Sequence, residues 1–208
     1  MQESQSRYHH GNLRPALLDA AIELAREGGP DAVVVREASR RAGVSHNAAY
    51  RHFADRDQLL KAVCERCMSE LARRMETRIA ETDPSDSSVD AARARLRATG
   101  TAYVEFALAE PGWFRTAFAV PPGLEHFGPG EGVGDSGLGP FELLNAQLDA
   151  LAAAGGLPPD RRPHAEIAAW AAVHGLSTLL NDGPLRELPD PDRALGLQRL
   201  LETIERGL

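Results

Sequence analysis

Cysteine, tryptophan and long apolar runs are all scarce in this chain. Of 208 residues only two are Cys and two are Trp, and aromatic residues make up 5%. Two cysteines cannot build a disulfide-stapled scaffold. No apolar run approaches the ~20 residues that span a bilayer. The N-terminal MQESQSRYHHGN lacks the apolar core of a signal peptide, so a cytoplasmic protein is expected. Cys64 and Cys67 stand in C-x-x-C spacing, but a structural zinc needs four ligands and no second Cys or nearby His pair supplies them. A thioredoxin-like pair needs a strand running into a helix. Here Leu59, Leu60, Val63, Cys64, Cys67, Met68, Leu71 and Met75 recur at helical spacing, so the thiols read as small buried hydrophobes. His9-His10 is no better as a metal site, since adjacent residues do not easily turn towards one ion. Gly134-Asp135-Ser136-Gly137 resembles a protease nucleophile stretch but sits in a Gly/Pro-rich segment without an oriented His/Asp pair. No metal and no cofactor is expected.

What remains is ordinary globular composition, 43% hydrophobic and 25% charged, in a length that suits one large or two small domains. The net charge of −7 is unevenly spread. Residues 1 to 60 hold eight Arg and eight acids, so the whole deficit falls in residues 61 to 208. Within residues 36 to 56, Arg36, Arg40, Arg41, Arg51 and Arg56 face only Glu37 and Asp55. Such a patch matters more to a polyanion than the net charge does.

The periodicity predicts an all-α fold. Leu13, Leu17, Leu18, Ala21, Ile22, Leu24 and Ala25 share a helix face behind a possible Asn12 cap, and Gly28-Gly29-Pro30 ends it. Val33-Val34-Val35 is β-like but has no partner strand, so it is read as an extended lead into a helix of about 36 to 42. Gly43 closes that helix and Ser45 caps the next, the pattern of a helix-turn-helix. Further helices are predicted over about 55–81, 89–109, 113–118, 141–154, 162–182 and 191–206. Residues 121–140 contain seven Gly and four Pro and read as a loop or lid.

On a helix from His46, Ala49 and Phe53 lie four apart and dock inward, with Val44 inserted from the turn. That leaves Ser45, His46, Asn47 and Ala48 at the leading turn, where a recognition helix meets base edges in the major groove. An Asn amide suits adenine, a His donor suits guanine and an Ala methyl suits thymine. Tyr50 and His52 can donate to phosphates, which fixes position without reading sequence.

Leu17 to Val63, with its AGVS, YRHF and charged-x-Leu-Leu elements in order, resembles the N-terminal DNA-binding domain of the TetR family of transcriptional regulators. The resemblance implies a three-helix DNA-binding domain (1–54), a larger helical ligand-binding and dimerisation domain (55–208), and a homodimer. It places Arg36 at a base or phosphate, His46, Asn47 and Ala48 at bases, and Tyr50, His52 and Arg56 at phosphates. Ala38 and Ala49 stand where the family commonly has Ile and Leu, which implies closer helices or a looser core. AEPGWFRTAF and AAWAAVHGLSTLL resemble the Trp-His-Gly type of C-terminal domain. They imply a ligand pocket walled by Tyr103, Phe106, Trp113, Phe114, Phe118 and Trp170, with His174 either a polar anchor in it or a hydrogen-bonded core residue. The expected function is a ligand-responsive regulator, most simply a repressor on a palindromic DNA operator, released by an apolar or aromatic effector and dimeric through Ile167–Leu180 and Leu195–Ile204. An N-terminal arm of Arg7, His9, His10 and Arg14 could touch the DNA backbone or form a disordered tail. Two alternatives are a small helical enzyme with His174 as base and a dimeric scaffold without DNA binding. The first has no carboxylate, nucleophile or cofactor motif at a convincing spacing beside His174, and the second leaves Arg36, Asn47, Tyr50 and Arg56 outward-facing for no reason.

Overall fold

The computed structural model describes residues 13–119 and 130–207, and among these it forms nine α-helices, one 3-10 turn and no strand. The first helix, α1 (Leu13–Gly28), buries Leu17, Leu18, Ala21, Ile22, Leu24 and Ala25, the stripe expected of a helix packed on one side. Gly29, at φ 69°, turns the chain into the 3-10 turn Pro30–Ala32. The valine run then alternates. Val33 and Val35 are buried while Val34 is 42% exposed, so it is a two-anchor bridge into α2 (Val35–Arg41).

The turn after α2 follows from one residue type. Gly43 adopts φ 67°, which lets the Val44 amide reach the Ser39 carbonyl at 3.0 Å and the Gly43 amide reach the Arg40 carbonyl at 3.3 Å. Ser45 caps α3 (His46–Tyr50), accepting the Ala48 amide at 3.3 Å. A helix of five residues does not persist alone in water. It is held by Ala49 and Phe53, both buried in the cluster that unites α1, α2 and α3. Ala38, like Ala49, is fully buried there.

Asp55 accepts the Gln58 amide at 2.8 Å and starts α4 (Arg56–Ala80). The first half of α4, from Leu59 to Met68, belongs to the N-terminal cluster, and Leu71, Ala72 and Met75 belong to the C-terminal one. A division at residue 54 therefore falls immediately before a helix that is common property of both cores. Cys64 and Cys67 are buried free thiols on this helix. The Cys64 thiol lies 2.8 Å from the Ala117 carbonyl, and burial pushes its pKa up to about 12.

The rest comprises α5 (Val89–Ala109), α6 (Pro111–Ala117), α7 (Pro140–Ala153), α8 (Ala165–Asn181) and α9 (Asp190–Gly207). Leu201 is the one buried residue of α9, and Ile167, Leu179 and Leu195 on α8 and α9 are 54%, 43% and 51% exposed. Among the described residues no helix is long and apolar enough to cross a membrane.

Candidate functional site

The exposed face of the helix-turn-helix carries most of the residues singled out from sequence. Arg36, Ser45, His46, Asn47, Tyr50 and His52 are exposed and Ala48 is half-buried. The His46 ring meets Tyr50 edge-on with centroids 4.8 Å apart, pre-setting the phenol over the first turn of α3. The Ser45 hydroxyl is occupied with capping, so its first duty is to the helix.

The basic patch is thinner than a count along the chain suggests. Arg40 is bonded to Glu37 at 2.9 and 2.7 Å, which holds that carboxyl down at about pKa 2. Arg41 takes Glu27 at 2.9 and 2.6 Å, an acid from α1 outside the 36–56 window. Arg56 donates from Nε to the Val33 carbonyl at 3.0 Å and from Nη2 to the Pro30 carbonyl at 2.7 Å. Its guanidinium is a clasp on the loop before α2, leaving Nη1 as the nitrogen available to a phosphate. Arg36 and Arg51 make no ion pair or side-chain hydrogen bond with the described residues. Arg51 is thus a candidate contact that helix position alone did not single out. Arg14 lies in α1 with its guanidinium 4.9 Å from the Phe53 ring, while Arg7, His9 and His10 fall outside the described residues.

The second candidate site is a cavity of about 520 Å³, within the ~300–1,000 Å³ typical of small-molecule sites. Tyr103, Phe118 and Trp170 line it. Trp170 Nε1–H donates to the Tyr103 hydroxyl at 3.1 Å, and that hydroxyl lies 2.8 Å from His174 Nδ1. An indole N–H can only donate, whereas the bond between the phenol and Nδ1 runs either way according to the tautomer of a neutral imidazole. Burial favours the neutral ring by lowering the His174 pKa, and it raises that of Tyr103. His174 and Phe114 do not reach the lining. They stand behind it, with ring centroids 5.3 Å apart, and support Tyr103 and Phe118. His174 is thus the hydrogen-bonded residue of the two readings.

Phe106 and Trp113 are not cavity residues. Phe106 is fully buried with the Arg74 guanidinium 5.2 Å from its ring. Trp113 faces the other way: its Nε1–H donates to the Ile22 carbonyl of α1 at 2.9 Å, and Arg26 lies over its ring at 4.3 Å. Arg26 also takes Glu110 bidentately at 2.8 and 2.7 Å. Gly112 packs so tightly here that a Cβ would strike the carbonyl oxygens of Ala25 and Arg26. The α5–α6 corner is therefore a joint between the two cores.

Sequence reasoning also missed much of the cavity wall, including Met68 and Met75 of α4, Leu96 of α5 and Phe141 of α7. Part of the wall comes from the segment 130–139, through Gly130, Glu131, Gly132, Val133, Gly137 and Gly139. Its tip is tied to α4 by the Glu76 carboxylate, which accepts the amides of Asp135 and Ser136 at 2.8 and 3.0 Å. The protease-like tetrapeptide is thus part of a carboxylate-bound turn. Residues 120–129 of the same Gly/Pro-rich stretch lie outside the described residues. No cluster of three or more metal-binding side chains occurs among the described residues.

A helix-turn-helix module seated on a helical domain with an apolar cavity defines the class. Two family descriptions match: "bacterial regulatory proteins, tetR family" over residues 17–63, and "tetracyclin repressor-like, C-terminal domain" over residues 96–204. The chain belongs to the tetR family of bacterial regulatory proteins. It is similar to an HTH-type transcriptional repressor of Mycobacterium tuberculosis, 40% identical over 58 residues, 28% of this chain and 31% of that one. The matched stretch thus spans less than a third of the curated relative. Over almost the full length, it is similar to a Rhodococcus sp. RHA1 protein of unknown function, at 31% identity, 98% and 99% coverage and a TM-score of 0.75. The fold is also that of TetR from Acinetobacter baumannii AYE, at 22% identity, 91% and 95% coverage and a TM-score of 0.62. A variant of that TetR has been solved in complex with minocycline.

Proposed function

We propose that this protein is a ligand-responsive transcriptional repressor that binds a palindromic operator as a homodimer in the cytoplasm. The observation that carries the reading is the outer face of α3, where Asn47, Tyr50 and the C-cap residue Arg51, which makes no side-chain bond with the described residues, stand on a helix whose inner face is locked by Ala49 and Phe53. Asn47, His46 and Ala48 read bases, while Arg36, Tyr50, Arg51 and His52 hold phosphates, helped by the remaining Nη1 of Arg56. The description of bacterial regulatory proteins of the tetR family matches residues 17–63, which include this face.

Dimerisation through α8 and α9 is supported by their unpartnered apolar residues Ile167, Leu179 and Leu195. Gly175 lies on α8 with nothing within 4 Å of where its Cβ would stand, room for a second chain's helix. Trp170, His174 and Gly175 fit the Trp-His-Gly type of C-terminal domain. Two recognition helices set roughly 34–36 Å apart meet successive major grooves. An effector in the cavity that favours a different spacing lowers operator affinity through its unequal affinity for the two conformations.

The test is a gel shift with DNA upstream of the protein's own gene at rising salt. Specific retardation that weakens steeply with salt supports the reading. No retarded band at low salt overturns it.

A further inference from the structure

The apolar cavity does not end in an apolar wall everywhere. Arg97 of α5 and Glu205 of α9 line it, and the same two residues line a second, open cleft on the surface. They are paired bidentately, Arg97 Nε and Nη2 on the Glu205 carboxylate at 2.7 and 2.6 Å. The pair is therefore the partition between the cavity and the cleft.

The cleft runs against the charge of its surroundings. Residues 61 to 208 carry the whole −7, yet the cleft gathers Arg93, Arg97, Arg161 and Arg206 against Asp90 and Glu205. Arg161 makes no ion pair or side-chain hydrogen bond with the described residues, and Arg93 reaches Asp90 only at 3.7 Å. A guanidinium has five N–H donors, so Arg97 keeps three after satisfying Glu205. The other carboxylates on the cavity wall, Glu131 and Glu142, are not part of the cleft, and Glu131 is bonded to Lys61 at 3.1 Å. An excess of arginine in a cleft separated from an apolar cavity by one ion pair is the arrangement that selects a molecule with an apolar body and an anionic head long enough to pass that pair.

Resting on the reading of this cavity as the effector site, we propose that the effector is an amphiphilic carboxylate, its apolar body in the cavity and its head among Arg93, Arg97 and Arg161. Passing the partition, the head takes the place of the Glu205 carboxylate on Arg97 and is completed by Arg93 and the unengaged Arg161 on the cleft side.

Calorimetric titration of the full chain with dodecanoate, dodecanol and dodecyltrimethylammonium, each below its aggregation concentration, tests this with one tail and three head charges. Dodecanoate is expected to bind about tenfold tighter than dodecanol, as charge-assisted hydrogen bonds of about 1.5 kcal/mol imply, and the cation weakest. Arg93→Gln with Arg161→Gln should remove most of that margin and move dodecanol affinity by less than roughly twofold, because the tail contacts remain. The single exposed-site variant Arg161→Glu, which carries little risk to folding, should weaken dodecanoate further. Equal affinities, or a preference for the cation, overturn the head assignment while leaving the cavity as an effector site. If none of the three binds, the assignment fails together with the effector role of the cavity, and operator binding is then judged by the gel shift alone.

Discussion

Glu76 of α4 and Ser136 of the cavity wall are joined twice through one carboxylate oxygen, by the Ser136 amide at 3.0 Å and its hydroxyl at 2.5 Å. The Asp135 amide takes the other oxygen, and Gly134 packs where any Cβ would strike the carboxylate. Glu76→Ala should free the 130–139 segment and cost about 1–2 kcal/mol, a fall of several degrees in Tm. Hydrogen exchange at the Asp135 and Ser136 amides is the direct readout. Unchanged protection there means the carboxylate does not hold this wall.

The α5–α6 joint is tested by Gly112→Ala. The added methyl meets the backbone of α1 rather than a flexible side-chain end, so relief requires the two cores to part. We expect a loss of about 1–3 kcal/mol in denaturant melts, together with a red shift of Trp113 emission as its Ile22 bond opens. Gly207→Ala, with nothing within 4 Å of its Cβ, is the matched control. A Gly112→Ala protein as stable as the control would show that the joint yields freely.

On DNA, Arg51→Ala should weaken binding to all sequences alike and reduce the salt slope by about one, the mark of a lost phosphate contact. Asn47→Ala should instead relax sequence preference by about 1–3 kcal/mol at one base position. Both are read by gel shift over a salt series. Interchanged behaviour would reverse the assignments of these two residues.

His174 should contribute to pH dependence. Burial lowers its pKa below the ordinary value of 6.5. As pH falls through the unfolded value, the unfolded chain takes up the proton first, so stability declines from there towards the folded pKa. Going from about pH 7.5 to about pH 5.5, His174→Gln should lose less Tm than the parent, because the titrating group is gone. An identical decline in both proteins would place the effect elsewhere.

The helices and the turn were readable because their determinants are local: Gly43 for the positive φ, Ser45 and Asp55 for caps, and a 3.6-residue stripe for each buried face. The cavity was readable only in part. Periodicity says that Tyr103, Phe106, Trp113 and Phe114 turn inward, but not which of them borders unfilled space. Trp113 carries no local sign that its partner is the Ile22 carbonyl, 91 residues away in sequence. Arg56 was legible only in part for a similar reason. The resemblance implied a phosphate contact, and its two short bonds to carbonyls that any sequence would present carry no local sign. Glu27 escaped because it reaches Arg41 from another helix.

The Arg56 clasp has a further consequence. By pinning the carbonyls of Pro30 and Val33 it freezes the stretch that leads into α2, before any DNA is present. A reader that arrives already assembled loses little conformational entropy on docking, and that saving is available to the complex at every site it samples. The loop before α2 is then the same in search and in recognition, and discrimination there rests on how well each sequence fits it rather than on ordering the loop upon it.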